Sequence, residues 1–111
     1  MQISISARHG QLGAGTQEKI REKVEKLRRI WDRVSAIRVT VNLEREEAPA
    51  VELQVSAEHA EDFVATGAGM NVFAALDGAL HKIEQQLRKH KEKKITGHRG
   101  PGHKHADAEA D

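Results

Sequence analysis

Cysteine is absent from the 111-residue chain. That excludes disulfides, thiolate zinc sites and cysteine nucleophiles, and nothing else in the chain calls for an oxidising compartment. Aromatic residues are nearly as scarce: Trp31, Phe63 and Phe73 are present and tyrosine is not. Little is left for the stacking platforms that grip single-stranded nucleic acid. Long apolar runs are missing too, with no stretch of about eighteen residues able to cross a bilayer. The opening MQISISA alternates polar and apolar where a signal peptide would carry a basic start and an apolar block. A cytoplasmic protein is expected. There is also no pairing of nucleophile and base, no phosphate-cradling loop and no metal triad, so an enzyme is the least favoured class and no cofactor is expected.

Apolar residues at 38% and charged residues at 32% describe one modest globular domain. Two periods alternate along it. Ile3 and Ile5 face one way in a strand over 2–7, and the glycine-rich RHGQLGAG that follows reads as a loop. Thr16 stands where an N-cap would sit, and Ile20, Val24, Leu27 and Trp31 then keep to one helical face. AIRVTVNLE and AVELQVSA alternate as a hairpin around the charged turn REEAP, and FVATG is a shorter fourth strand. From Asn71, a second N-cap candidate, Val72, Leu76, Ala79, Ile83 and Leu87 carry a helix to about Lys94. The order β-α-β-β-β-α predicts an α+β fold, with two helices side by side on one face of a four-stranded sheet. The helical connection between its first two strands permits a parallel pair joined by a right-handed crossover. The domain spans 1–95, and the Gly-, His- and acid-rich residues 96–111 read as a flexible tail.

The net charge of +1 conceals an uneven distribution. Residues 16–33 hold seven Lys or Arg against four Asp or Glu, residues 81–94 hold six against two, and residues 34–80 hold two against eight. On helical wheels Lys23, Lys26 and Arg29 descend one flank of the first helix. Lys82, Lys89 and Lys93 fall at nearly the same flank angle of the second. Such a stripe on one helix is ordinarily a solvated face with ion pairs such as Glu22 to Lys26 or Glu25 to Arg29. Stripes on corresponding flanks of two neighbouring helices point instead to phosphate binding. With so few aromatics, structured RNA read by shape and backbone is the better fit.

The segments MQISISARHGQLGAGTQEKIREKVEKLRRIWDRV and NVFAALDGALHKIEQQLRKHKEKK resemble, in order and spacing, the two ends of the ribosome hibernation-promoting factor and protein Y family, over about residues 1–95. The most specific part is Phe73-Ala-Ala-Leu-Asp77 followed at fixed distance by Gln86-Leu-Arg-Lys-His-Lys91. The resemblance implies the same β-α-β-β-β-α arrangement, similar to double-stranded-RNA-binding domains. It also implies a factor that binds the small ribosomal subunit and its ribosomal RNA in the mRNA and tRNA decoding channel, inhibiting translation in stationary phase or stress. By position, the rRNA-contacting residues would be Lys23, Lys26, Arg29, Lys82, Arg88, Lys89 and Lys91. Gln85 stands where the family commonly has Arg, and Asn71 and Phe73 replace the usual Asp and Tyr. The length resembles the short members, some of which act with a separate ribosome modulation factor.

A second reading, from another class, is a protein-interaction module that modulates transcription (sigma-factor modulation) through the acidic stretch Glu44 to Glu61. Four smaller features have simpler accounts. His98, His103 and His105 lie in the tail without carboxylates at ligand spacing, so no metal site is expected. Arg8 and His9 fit an RNA contact or a turn equally well. His90 projects near the apolar face as a partly buried or capping histidine, and Asp77 has no partner for acid–base work.

Overall fold

The computed structural model describes residues 2–96, with side chains through Lys91. The elements are β1 (Gln2–Arg8), α1 (Ala14–Glu25), α2 (Leu27–Ile30), β2 (Val34–Asn42), β3 (Ala50–Ala57), β4 (Phe63–Ala68) and α3 (Val72–Thr96). They form one sheet in the order β1-β2-β3-β4, with β1 parallel to β2 and the remaining pairs antiparallel. The expected architecture is therefore the observed one. Val39, Val41, Val51, Leu53 and Val55 alternate inward from the central strands against Ile20, Val24, Leu27, Leu76, Ile83 and Leu87 of the helices, all of them buried. Among the described residues, no helix is long and apolar enough to cross a membrane. The tail from 97 onward, with its three histidines, lies outside the described residues.

The helix starts differ in their chemistry. Asn71 caps α3 as expected, accepting the Ala74 amide on its Oδ1 at 2.8 Å. Asn71→Ala should cost about 1 kcal/mol, read as a lower Tm with little change in circular dichroism. Thr16, by contrast, is no cap. α1 begins at Ala14 after Gly13, which offers no side chain; Gln17 instead donates from its backbone to the Gly13 carbonyl at 3.0 Å and from its side-chain amide to Leu12 at 3.1 Å. Leu12 packs against the core, which anchors the chain early enough for the helix to start before Thr16.

The first helix is also not continuous to Trp31. The Arg29 amide donates to Lys26 at 2.9 Å, three residues back, and this tightened turn divides α1 from α2. Trp31 has already turned to extended backbone (φ −151°, ψ 115°) on the way into β2, yet stays buried. Its ring lies 5.1 Å from that of His90, which in turn lies 5.4 Å edge-on to Phe63. His90 is thus half-buried among aromatic rings beneath the helix ends, as its position suggested, and does not act as a cap.

Candidate nucleic-acid interface

Three contacts set how the helices run. Lys19 sits 5.9 Å over the Phe73 ring, Lys23 meets the Asp77 carboxylate at 3.1 Å, and Lys91 donates to the Ile30 carbonyl at 3.0 Å. Successively later residues of α1 and α2 meet successively later residues of α3, so the two arms are parallel and their basic C-terminal turns lie together. Lys26 and Arg29 are within about one turn of Ile30, and Arg88 and Lys89 within one turn of Lys91.

Parallel helices do not bring the two expected stripes face to face. A given flank angle points the same lateral way on both, so the α1 flank carrying Lys23 faces α3, while the α3 flank carrying Lys82 faces away from α1, towards β4. Lys82 there donates to the Thr66 carbonyl at 2.8 Å and Gln86 to Val64 at 3.1 Å, covering the open edge of β4. On the far edge of the sheet Arg21 reaches the Ile3 carbonyl at 3.4 Å. Lys93, the last member of the α3 stripe, has its side chain outside the described residues.

The seven expected contact residues consequently fall into two sets. Lys23 is held by Asp77, Lys82 by the β4 edge, and Lys91 by the last carbonyl of α2, one of the orphan acceptors a helix end leaves behind. Asp77, read from sequence as having no partner for acid–base work, is the acid of the interhelical ion pair. Lys26, Arg29, Arg88 and Lys89 are exposed and have no protein partner among the described residues. The anticipated pairs Glu22–Lys26 and Glu25–Arg29 do not form there; the ion pairs present are Lys23–Asp77 and the loop pair Arg45–Glu47.

Sequence reasoning missed Arg28 and Arg33. Together with Arg29 and Lys91 they line a groove of about 430 Å³ where α2 turns into β2. The signal was the run RRIWDR itself, passed over because Arg28 lies off the wheel stripe and Arg33 beyond the helix. His9 resolves towards the turn: it takes a left-handed φ of 61° just after β1. Among the described residues, no group of His, Asp and Glu could hold a metal ion.

The acids do not share one edge either. Glu44, Glu46 and Glu47 lie between β2 and β3, whereas Glu58, Glu61 and Asp62 lie between β3 and β4. The two groups therefore sit at opposite ends of β3.

The model of the family described as sigma 54 modulation protein / S30EA ribosomal protein matches residues 3–95. The chain belongs to this family. Within it, the chain is 31% identical over 100 residues to the ribosome hibernation promoting factor of Azotobacter vinelandii, covering 90% of this chain and 92% of that protein. It is 28% identical over 94 residues to the factor of the same name from Escherichia coli K12, covering 84% and 96%. The fold matches a ribosomal subunit interface protein from Coxiella burnetii (TM-score 0.75, 20% identity, 84% of this chain and 100% of that one). It also matches the Protein Y N-terminal domain of Thermus thermophilus (TM-score 0.71, 20% identity, 80% and 98%). The resemblance noted from sequence is thus the family relationship, and the S30EA-family fold carries the basic helix ends described above.

Proposed function

We propose that this S30EA-family chain is a ribosome hibernation factor. It docks the C-terminal ends of its helices on ribosomal RNA of the small subunit, in the mRNA and tRNA decoding channel, and so inhibits translation in stationary phase or stress. The observation that carries the reading is the gathering of Lys26, Arg29, Arg88 and Lys89, exposed and unpaired among the described residues, at one end of the helical layer. Cations so placed release counterions from a phosphate backbone without first breaking protein contacts. The relatives named ribosome hibernation promoting factor support the biological setting. The factor works stoichiometrically by occupying its site. Lys23, Lys82 and Lys91 contribute through the positions they hold, since none of the three is buried while it braces a helix.

Sedimentation with vacant ribosomes through sucrose tests this. Comigration with the small subunit at low salt and release at high salt is expected, affinity falling by roughly 0.7 to 0.9 log units per log unit of salt for each phosphate neutralised. Protein left at the top of the gradient at both salts overturns the proposal. The transcription-modulating alternative would need one acidic contact surface, and the division of the acids between two ends of β3 speaks against it.

A further inference from the structure

We infer that the groove at the α2–β2 turn is a seat for a backbone phosphate of RNA, held by Arg28 and Arg33 alongside Arg29 and Lys91. The inference rests on the proposed function and extends its surface past the helices, around their end to the start of β2. Four cationic residues line one concavity, with Asp32 the acidic residue in its wall. Among the described residues no carboxylate comes within ion-pair distance of any of the four, although Glu58 is close by, its amide donating to the Arg33 carbonyl at 3.0 Å.

Such a cluster repels itself unless an anion enters, and a phosphate is the anion that guanidinium forks match two oxygens at a time. Lys91 is already fixed by its bond to Ile30, so one member of the seat needs no ordering when the ligand arrives. The groove offers nothing to a nucleobase: Trp31 beneath it is only 6% exposed and engaged edge-on with Phe63 at 6.4 Å, which leaves no free ring face for stacking. Recognition is therefore of phosphate and not of sequence. An RNA strand is favoured over a free phosphate compound because Arg29 and Lys91 belong both to this groove and to the basic helix ends, making the two surfaces continuous.

The test compares the full chain with the R28Q/R33Q variant, using ribosome sedimentation and NMR of the arginine Nε–H groups during titration with an RNA hairpin and, separately, inorganic phosphate. Thermal melting confirms that the variant folds. The expected result is a loss of about tenfold or more in ribosome affinity. The salt dependence should also become shallower by about 0.7 to 0.9 log units per log unit of salt, the equivalent of the one phosphate seated there. Unchanged affinity and slope in a folded variant would overturn the seat while leaving the proposed function standing. Should the unmutated chain fail to bind ribosomes, the proposed function falls and the hairpin decides the seat alone. Shifts at Arg28 and Arg33 with the hairpin support it; their absence, or equal shifts at matched phosphate concentration, overturns an RNA-backbone seat.

Discussion

Reversing Lys26 and Lys89 to Glu together should reduce ribosome affinity by more than about 100-fold and leave the fold untouched. Each reversal removes one cation from the phosphate contact and adds a repulsion in its place, so the salt dependence should fall by about two phosphates' worth as well. The fold should survive because neither side chain is buried or partnered among the described residues, and surface changes of that kind usually stay within about 0.5 kcal/mol. Affinity measured by sedimentation, beside thermal melting of the same protein, separates the two effects. Retained binding would remove the helix ends from the interface. Lys82→Met makes the contrast: it gives up a bond to the β4 edge in an exposed setting, and its effect on binding should be the smaller one.

The second large effect concerns stability. Gly67 lies buried in β4 where α3 crosses the sheet, and a Cβ placed there would meet the Ala75 carbonyl oxygen at 2.3 Å and the Ala79 amide nitrogen at 2.6 Å. Both are backbone atoms of a regular helix, so neither can rotate aside; α3 as a whole would have to lift by about 1 Å from a closely packed interior. Gly67→Ala is expected to cost roughly 3 kcal/mol or more, the upper part of the range for overpacking. For a domain of this size that lowers Tm by roughly 12 to 24 °C. On the opposing helix, a Cβ at Gly78 would lie 3.8 Å from the Gly67 Cα, an ordinary contact. Gly78→Ala should therefore stabilise the protein by about 0.4 to 1 kcal/mol through the lost freedom of the unfolded chain. A melt of Gly67→Ala within 1 kcal/mol of the parent would show that α3 does not approach β4 this closely. The position matters for the proposed interface because α3 carries Arg88 and Lys89.

The periodicities carried the architecture a long way. Alternation through Ile37, Val39 and Val41 and through Val51, Leu53 and Val55 marked strands with one buried face, because the two-residue period leaves no other arrangement. The helical spacing of Ile20, Val24, Leu27, Leu76, Ile83 and Leu87 marked the cover, and Asn71 marked a true cap. Local capping at the first helix was not legible: whether the chain winds at Ala14 or at Thr16 depends on where Leu12 finds the core, and that is a tertiary contact. The same holds for Trp31, which kept its place in the helical spacing and its burial but left the helix, because the crossover into β2 had to begin there.

What the sequence by itself determined is which residues are apolar at which period, and so the α+β fold, the family and the presence of two basic helices. Which of those basic residues remain available was decided only by tertiary structure. A wheel places Lys23, Lys26, Lys82 and Lys89 on equivalent flanks but cannot know that parallel helices turn one flank towards Asp77 and the other towards the carbonyls of β4. Nor can it show that Arg28 and Arg33, on opposite sides of a buried tryptophan, line one groove with Lys91 from the far end of the domain. Hydrophobic pattern is a property of neighbours along the chain, whereas charge pairing depends on distances that exist only once the chain has closed on itself.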